Sequence, residues 1–594
     1  MKAVAGKEMV LLKTYPYSDP SPLPEFGRLY PYNRFDGYTA EGSDVLWEMI
    51  VLENDFIKIW INPSAGGKVW GAIEKSTGRE FIYFNHAAKF RDLAMRGPWT
   101  SGGIEINLGI IGHSPACAAK VDYDLRTNPD GSVSCFTGAV DWPSRTRWFV
   151  EICLPAQAAY FIIRTSWYNN SRETQSYYNW SNAGVKTSGD LEYIFPGSAY
   201  LEHDGKGYPW PKNREGRDLS FYANNNFGDH KSYHVFGACS GFWGCYWHKD
   251  NFGLGHYSSY DQKPGKKIWI WNQSRNGMIW EDLLTDHDGQ YTEVQSGLLF
   301  NQSISSSSRT PFKHRSFSPY ESDIREEYWL PVKGTGGLTY SCPWLSFFVA
   351  GNDGVYELKI CANQPLSGVL RLEDGKSVLL TAPVEMQALG NKCLVLPRKP
   401  DEDSLKLWID DRRLYDAKQQ QQVLKRPARL AEGYDHDSVE GLYYQAKEWE
   451  RQRFFERAEE KYEACLSRDP YYTRALTSLG ALRLRFMDYA AAGELLLKTL
   501  SIDSYDAEAN YLYGLVQERM GNLTDALDGF SIASQSPAYS SAAFTELARI
   551  SLREKQYDTA YSYLVKALEY NTRNFQAYQL QVLIRRKTGK LSEA

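Results

Sequence analysis

The C-terminal part of this 594-residue chain repeats with a period of 34 residues. Three registers follow the period: a small residue, an aromatic residue or leucine, and a second small residue. Their members are Ala458, Ala492, Ala526, Ala560 and Ala594; Phe455, Tyr489, Leu523, Tyr557 and Leu591; and Ala446, Gly480, Gly514 and Ala548. The small residues let the two helices of a repeat approach closely, and the larger residues fill the groove between them. The period therefore predicts stacked helical hairpins.

These repeats resemble tetratricopeptide repeats. Four run from about Ser438 to Asn571, and a fifth begins after them. The chain stops at Ala594, where the second helix of the fifth repeat would start, and solenoids normally end in a polar cap. We therefore expect the chain to be a fragment of a longer protein. Such arrays bind a peptide in a groove, self-associate or pack against their own first domain, so we expect a protein partner or self-association.

The chain before the repeats has a different pattern. Short alternating segments such as Arg147–Cys153, Ala159–Trp167 and Lys267–Trp271 are separated by Gly, Asn, Asp and Pro, which is typical of many β-strands. We expect a β-supersandwich, a small β-sandwich and a C-terminal α-helical solenoid. The predicted domains are residues 1–333, 334–416 and 437–594, with a polar linker at 417–436.

Composition excludes several classes of function. The 67 basic and 72 acidic residues give a net charge of −5, so no basic excess supports binding to nucleic acid. No apolar run is long enough for a membrane span or for the core of a signal peptide, which predicts a cytoplasmic chain without membrane contact, or a periplasmic one if a native leader was removed. No phosphate-binding loop, dinucleotide motif or serine-nucleophile elbow is present, and we predict no cofactor.

Polar and aromatic residues cluster in four stretches of the first domain. Three glycines and a proline surround a single carboxylate in residues 97–107, and a histidine follows at the end of the same strand. Alternation places a lysine and two tryptophans on one face of residues 264–271. An acidic Asp-His-Asp run at residues 286–288 has the composition of a metal loop, but such a run is more often a solvated turn, so we predict no metal. The residues singled out for function are Trp99, Glu105, Asn107, His113, His203, Trp210, Asp218, Lys267, Trp269, Trp271, Glu293 and Gln295.

The order of these stretches is similar to that in the bacterial domain-of-unknown-function family numbered 5107, fused to tetratricopeptide repeats. The resemblance rests on Gly97-Pro-Trp-Thr-Ser-Gly-Gly-Ile-Glu-Ile-Asn107, Tyr208-Pro-Trp-Pro211, Gly216-Arg-Asp-Leu-Ser220, Pro264-Gly-Lys-Lys-Ile-Trp-Ile-Trp271 and Tyr291-Thr-Glu-Val-Gln-Ser-Gly297. It covers roughly residues 23–332 and continues through the repeats. The resemblance implies a galactose-mutarotase-like β-supersandwich. This sequence differs from the family at residues 108–113, where many relatives have a histidine pair and this chain has only His113.

Three functions fit these residues. Aromatic planes with many hydroxyl-binding groups suit a carbohydrate, and glycosidic cleavage needs two carboxyl groups. The first hypothesis is a glycoside hydrolase acting on an oligosaccharide or glycoside, with Glu293 as general acid and Glu105 or Asp218 as base. The second is an aldose 1-epimerase, in which His113 or His203 protonates the ring oxygen. The third is a non-catalytic carbohydrate-binding scaffold whose repeats recruit a protein.

Overall fold

The structure is a computed structural model. It describes residues 2–19, 21, 23, 35–92, 98–109, 113–114, 116–142, 144–226, 228, 230–271, 273–302, 305–352, 354–375, 377–590 and 592. Parts of the predictions therefore lie outside the described residues: Gly97 and residues 110–112 of the glycine-rich stretch, and Leu591 and Ala594 of the repeat registers.

Two large β-sheets make up the first domain. Their strands and those of two small pairings are β1 (Val4–Thr14), β2 (Ser43–Glu53), β3 (Ile57–Asn62), β4 (Lys68–Glu74), β5 (Arg79–Ile82), β6 (Ala87–Ala88), β7 (Arg91–Asp92), β8 (Pro98–Trp99), β9 (Ile104–Leu108), β10 (Asp122–Thr127), β11 (Val133–Asp141), β12 (Thr146–Leu154), β13 (Phe161–Asn169), β14 (Gln175–Tyr177), β15 (Asn179–Lys186), β16 (Leu191–Ile194), β17 (Ala199–Leu201), β18 (Gly207–Pro209), β19 (His230–Phe236), β20 (Phe242–Trp247), β21 (Phe252–Tyr257), β22 (Gly265–Trp271), β23 (Tyr291–Gly297), β24 (Arg315–Phe317) and β25 (Ser322–Lys333). One α-helix, α1 (Arg275–Leu284), lies between β22 and β23. Short 3₁₀ turns occur at Tyr222–Asn224, Asp286–Asp288 and Ser305–Arg309.

The larger sheet has 13 strands in the order β18-β17-β19-β22-β23-β15-β9-β4-β3-β2-β1-β6, with β5 paired to β4. The smaller has eight strands in the order β10-β11-β12-β13-β25-β21-β20-β16. Apolar side chains at alternate positions of both sheets meet in one buried core, for example Ile59, Val294 and Ile268 of the larger sheet and Ile163 and Trp329 of the smaller. Because alternate residues of a strand point to opposite faces, the polar residues between these core positions lie on the other face of the larger sheet.

A small β-sandwich follows. Its strands are β26 (Tyr340–Ser341), β27 (Leu345–Asn352), β28 (Val355–Ala362), β29 (Leu366–Asp374), β30 (Ser377–Met386), β31 (Asn391–Leu396), β32 (Leu405–Ile409) and β33 (Arg412–Asp416), with a 3₁₀ turn at Glu402–Ser404. They form two four-stranded sheets, β26-β27-β28-β31 and β30-β29-β32-β33. Leu358, Leu370 and Leu407 are fully buried between these sheets. The same apolar cluster includes Phe242 and Tyr246 of the first domain, so the two domains share a packed boundary.

The segment predicted to be a linker is structured where it leaves the small sandwich. Helix α2 (Ala417–Gln421) begins directly after β33. The backbone N–H of Leu424 then donates to the carbonyl of Gly237, 2.8 Å away, and Val423 pairs with Ala238. Helix α2 therefore packs on the small sandwich, and Val423 and Leu424 pair with the first domain.

Nine helices of the described chain form the C-terminal array: α3 (Val439–Arg451), α4 (Phe455–Arg468), α5 (Thr473–Arg485), α6 (Tyr489–Leu500), α7 (Ala507–Met520), α8 (Leu523–Ala533), α9 (Ser540–Arg553), α10 (Tyr557–Tyr570) and α11 (Phe575–Lys587). Ala492 and Ala526, which occupy the same small-residue position of successive repeats, are fully buried. A Cβ atom on Gly514 would lie 2.7 Å from the Phe530 ring, which explains the small residue at that position. None of the helices in the described ranges combines the length and apolar character that crossing a bilayer requires.

The repeat array packs against the first domain through charged side chains. Arg172 forms ion pairs with Glu518 of α7 and, at 2.7 Å, with Glu546 of α9. Arg485 of α5 donates to the backbone carbonyl of Thr174 at 2.8 Å. Glu448 of α3 accepts a hydrogen bond from the His314 ring at 2.7 Å. One surface of the array is therefore occupied by the chain's own β domain.

Candidate active site on the polar face of the large sheet

One row of polar side chains crosses five neighbouring strands of the larger sheet. Direct register pairs Glu105 of β9 with Asn182 of β15, Asn182 with Gln295 of β23, Gln295 with Lys267 of β22, and Lys267 with His234 of β19. All five are buried, at 6% exposure or less. Their chain neighbours face the sandwich core, as the buried Ile104, Ala183, Val294, Ile268 and Tyr233 show. The row is therefore a polar layer on the face that points away from that core.

A second row lies one step along the strands. Gly184, Glu293, Trp269 and Ser232 are in direct register. Because Gly184 has no side chain, the turn at Gly102 packs directly against it: a Cβ atom on Gly184 would lie 3.0 Å from the Gly102 Cα. The two rows place Glu105 and Glu293 on the same face.

The glycine-rich turn before β9 owes its sequence to a close backbone approach. Gly102 and Gly103 have φ angles of 75° and 65°, in the left-handed region, and a Cβ atom on Gly103 would lie 2.0 Å from the Val69 carbonyl oxygen. The Nζ of Lys68 donates to the carbonyls of Thr100, Ser101 and Gly102 at 2.8–3.2 Å. Burial lowers the pKa of Lys68 to about 8. The turn thus fixes the strand that carries Glu105.

Glu105 is held by donors on both of its oxygens. Its Oε2 accepts from Trp99 Nε1 at 2.8 Å and from His113 Nδ1 at 2.9 Å, and its Oε1 accepts from the Ser114 N–H at 3.1 Å. Burial acts to raise the pKa of Glu105, but the nearby His113 and the hydrogen bonds from His113 and Trp99, with Lys68 adding to them, bring it below its usual value. Glu105 is therefore a carboxylate that stays ionised at neutral pH.

Glu293 has a different set of neighbours. Gln295 Nε2 donates to its Oε2 at 2.9 Å, and the Tyr291 hydroxyl donates to its Oε1 at 3.3 Å. Lys68 interacts electrostatically with both Glu293 and Glu105, which places a cation near the two carboxyl groups. Two carboxyl groups and a shared cation are thereby brought together from three strands.

Lys267 joins the row to a loop. Its Nζ donates to Gln302 Oε1, and Gln302 Nε2 donates to Gln295 Oε1 at 3.2 Å. Burial lowers the pKa of Lys267 to about 7, partly offset by Glu293. Lys267 therefore changes protonation near neutral pH, beside a carboxyl group.

The two histidines beside this loop are neutral. The Gln302 backbone N–H donates to His234 Nε2 at 3.1 Å, and His234 Nδ1 lies 3.0 Å from the Leu201 carbonyl, which fixes the tautomer with its proton on Nδ1. Burial lowers the pKa of His234 well below its usual value. Burial, with Lys267 nearby, lowers the pKa of His203 to about 3. Neither ring carries a positive charge at neutral pH.

Aromatic rings border the polar rows as two stacked pairs. His230 stacks on Trp269 with ring centroids 4.4 Å apart, and Trp280 of α1 stacks on Trp271 at the same distance. Trp269 and Trp271 meet edge to face at 5.7 Å. His230 is exposed and Trp280 is half-buried, whereas Trp271 is buried. The platform expected from Trp269 and Trp271 therefore reaches solvent through the rings stacked on them.

Two buried amide groups of this face have polar atoms left over. Asn107 Oδ1 accepts from the Ser114 N–H at 3.2 Å, but Asn107 Nδ2 has no hydrogen-bond partner among the described residues. Asn182 Oδ1 also has no hydrogen-bond partner among the described residues. A buried polar atom without a partner costs free energy, so such atoms commonly bind a ligand or an ordered water.

Two residues singled out from the sequence do not lie on this face. Trp210 packs against Tyr233, donates from Nε1 to the Phe195 carbonyl at 2.9 Å, and belongs to the core between the sheets. Asp218 accepts from the backbone and the hydroxyl of Ser220, at 3.1 and 2.6 Å, as part of a local turn. The structure does not bring Asp218 together with the other two carboxylates, and Trp210 is positioned to stabilise the fold.

The acidic run at residues 286–288 is paired with cations. Asp286 forms ion pairs with Lys89 and Lys13 and accepts from the Tyr15 hydroxyl at 2.6 Å. Asp288 pairs with His86 at 3.1 Å. These contacts tie the end of helix α1 to the first strands of the sheet.

Several residues of the site were not singled out from the sequence: Lys68, Asn182, His230, His234, Trp280, Tyr291 and Gln302. Asn182 and Lys68 lie in strands whose sequences contain no unusual cluster, and Gln302 precedes a serine-rich stretch that resembles any polar loop. Tyr291 could have been found, because it is two residues before Glu293 and shares its strand face.

Residues 24–332, just over half of the chain, match the family described as Domain of unknown function (DUF5107). The chain belongs to this family. A TPR-domain containing protein from Parabacteroides distasonis is similar to it along nearly its whole length: it is 19% identical, the match covers 99% of this chain and 96% of that protein, and the TM-score is 0.50. This likeness and the family match confirm the predicted fold class, a β-rich first part followed by helical repeats.

Two further solved structures each match about half of the chain. A galactose mutarotase-like protein from Clostridium acetobutylicum is 10% identical, with 48% of this chain and 96% of that protein covered and a TM-score of 0.36. One from Lactobacillus casei is also 10% identical, with 48% and 100% covered and a TM-score of 0.34.

Proposed function

We propose that the protein is a carbohydrate-active enzyme that acts at an anomeric centre, and specifically a glycoside hydrolase. The observation that carries the proposal is the pair of buried carboxyl groups, Glu105 and Glu293, on one polar face bordered by stacked aromatic rings. The unpartnered Asn107 Nδ2 and Asn182 Oδ1 are a donor and an acceptor of the kind that sugar hydroxyls satisfy. Aromatic rings pack against the apolar face of a sugar, and the amides select its hydroxyls.

The environments of the two carboxyl groups suggest their roles. Glu105 accepts three hydrogen bonds and its pKa is held low, so it suits the ionised role of a base that activates water. Glu293 then supplies the proton to the leaving oxygen, next to the Tyr291 hydroxyl. Lys267, with a pKa of about 7, is placed to donate to a sugar hydroxyl or to stabilise negative charge beside Glu293.

The strand geometry favours inversion over retention. Glu105 and Glu293 are two strands apart and two residues out of register. At ~4.8 Å between strands and ~3.3 Å per residue, their Cα atoms are roughly 12 Å apart. Side chains leaning towards each other from that distance reach the ~6.5–9.5 Å carboxyl separation of inverting enzymes more readily than the ~5 Å of retaining ones.

The epimerase alternative has less support. A general acid has to hold a proton near the working pH, and the pKa of about 3 leaves His203 neutral there. His113, the other candidate acid, is already bonded to Glu105. Mutarotation remains measurable by polarimetry on free aldoses, and anomer interconversion without cleavage would replace the hydrolase proposal.

The test is product release from a panel of nitrophenyl glycosides and natural oligosaccharides, with the anomeric configuration of fresh product read by NMR. We expect release from one substrate class with inverted configuration. Glu293→Gln should lower turnover at least ~100-fold and leave sugar binding within a few-fold. Glu385→Gln is the matched control, because Glu385 is exposed on the small sandwich. A Glu293→Gln variant with more than a tenth of wild-type activity would exclude the acid role.

A further inference from the structure

A second cavity opens beside the polar face, at the edge of the larger sheet. It has a volume of about 520 Å³, within the ~300–1,000 Å³ typical of small-molecule sites. Three separate parts of the chain form its walls: residues 204–208 with Arg214, residues 309–311 and residues 428–430. They are packed against each other, since a Cβ atom on Gly205 would lie 2.2 Å from Thr310 Cγ2 and one on Gly207 would lie 3.3 Å from the Ala428 Cβ. We call this cavity the edge cleft.

The edge cleft is lined by cations in a chain that is acidic overall. Its charged residues are Lys206, Arg214, Arg309 and Arg429 against a single carboxylate, Asp204, while the whole chain carries −5. Asp204 pairs with Lys206 at 2.8 Å. The three arginines have no carboxylate partner among the described residues and are exposed. A concave wall lined by charges of one sign concentrates counter-ions, and arginine binds carboxylate or sulfate groups through two parallel hydrogen bonds.

The edge cleft adjoins the polar face through His203. Asp204, in its wall, directly follows His203, so their Cα atoms are ~3.8 Å apart. The His203 ring lies 5.6 Å from the Trp269 ring and 5.0 Å from the His234 ring, centroid to centroid. An oligosaccharide with one sugar beside Glu293 and Trp269 would have to pass His203 to reach the cleft.

We infer that the edge cleft is an anion subsite, which holds a carboxylate or sulfate group of an acidic oligosaccharide whose reacting sugar lies on the polar face. The position of the reacting sugar in this inference rests on the proposed function. The binding of an anion rests on the residues of the cleft alone. Tyr208, in the same wall, offers a ring beside the arginines, which suits a charged sugar more than a free inorganic ion.

The experiment is calorimetric titration of the full chain with three series of oligosaccharides of matched length: neutral, uronate-containing and sulfated. Inorganic phosphate is titrated separately. We expect one acidic series to bind at least tenfold more tightly than the neutral one, and the difference to shrink between 50 and 200 mM salt, because exposed charges are screened. Tighter binding of the uronate series would show that the cleft binds a carboxylate group, and tighter binding of the sulfated series would show that it binds a sulfate group.

Charge-reversal variants locate the effect. Arg309→Glu and Arg429→Glu should each weaken the acidic ligand about tenfold or more and leave the neutral one unchanged, since each removes a charge-assisted contact. Arg429→Lys should keep most of the affinity. Arg147→Glu is the control, because Arg147 is exposed on the outer face of the smaller sheet. Equal binding of acidic and neutral series, phosphate binding as tight as either series, or an equal effect of Arg147→Glu would each overturn the inference.

The result also separates this inference from the proposed function. If neutral glycosides are cleaved and the arginine variants change nothing, the hydrolase proposal stands and the anion subsite fails. If acidic oligosaccharides bind through Arg309 and Arg429 but no substrate is turned over, the subsite stands and the hydrolase proposal fails.

Discussion

Lys266 and Lys267 are neighbours in β22 and lie on opposite faces of it. Both are buried, at 2% and 3% exposure, and burial lowers the pKa of each to about 7. Lys266 faces the interior between the sheets, near a cluster in which Glu327 pairs with Lys263 and His256, both at 2.9 Å. Lys267 faces Glu293, Gln302 and the aromatic rings. Both faces of β22 therefore bury a lysine. Among the described residues, the face of Lys267 is the one that borders rings that reach solvent.

The comparison shows that a shifted pKa does not by itself identify a site. The inner cluster has strongly displaced values too: the pKa of Glu327 is lowered to about 2, as Lys263 and His256 overcome the effect of burial. Its groups are 3% exposed or less, and Lys267 on the outer face is equally buried. The faces differ in their neighbours: the inner cluster lies between the two sheets, whereas the outer face borders His230 and Trp280, whose rings reach solvent.

The largest expected effect is on the inner cluster. Glu327→Gln leaves Lys263 as a buried cation without its anion, which should lower the free energy of unfolding by ~3–5 kcal/mol. Chemical denaturation measures this, with Glu385→Gln as the exposed control. Activity per folded molecule should be unchanged. A loss below ~1 kcal/mol would mean that the cluster is hydrated and not closed.

The next largest effect is on the pH dependence of stability, and it concerns Lys266. The pKa of Lys266 in the folded chain lies below its usual value of 10.5, so the unfolded chain binds the proton more tightly. Lys266 therefore lowers the free energy of unfolding at pH 7 and below. This destabilisation decreases as the pH rises towards 10. Lys266→Met should therefore be more stable than the wild type near pH 7, with an advantage that shrinks by ~1.4 kcal/mol per pH unit above it. Unfolding midpoints from pH 6 to 10 test this, and an advantage that grows with pH would contradict it.

The third effect belongs to Lys267. Its ammonium group deprotonates through about pH 7, so a sugar that it binds should be held about tenfold less tightly at pH 9 than at pH 6. Lys267→Met should remove this pH dependence, while Lys266→Met should keep it. Sugar titrations of both variants at several pH values provide the measurement. The same profile in both variants would place the titrating group elsewhere.

The smallest effect concerns Asn182. Its buried Oδ1 lacks a protein partner, so Asn182→Ala should weaken a bound sugar by ~1 kcal/mol, roughly fivefold, and change the stability of the free protein by less than that. Calorimetry with and without sugar separates the two. A variant that loses stability without losing affinity would show that the amide serves the fold.

The sequence predicted the helical repeats because each repeat contacts mainly its neighbours, so a short-range period in the sequence is enough to identify them. It also predicted Glu105, Lys267 and Glu293 as candidates, since alternation along a single strand gives the face. It did not predict which strands are adjacent, and so Lys68 and Asn182 were missed. Trp210 and Asp218 were predicted as site residues from their motifs, and the structure places them away from the polar face, because a motif records proximity in the chain and not the side of the sheet.

Arg172 has a consequence for how the molecule melts. It lies between the β domain and two helices of the array, where it pairs with Glu518 and Glu546, and the Tyr320 hydroxyl donates to Glu546. Unfolding either part would break both ion pairs and the Tyr320 hydrogen bond, so each part stabilises the other. The β domain and the repeats are therefore expected to behave as one cooperative unit on heating, although repeat arrays on their own can unravel in stages.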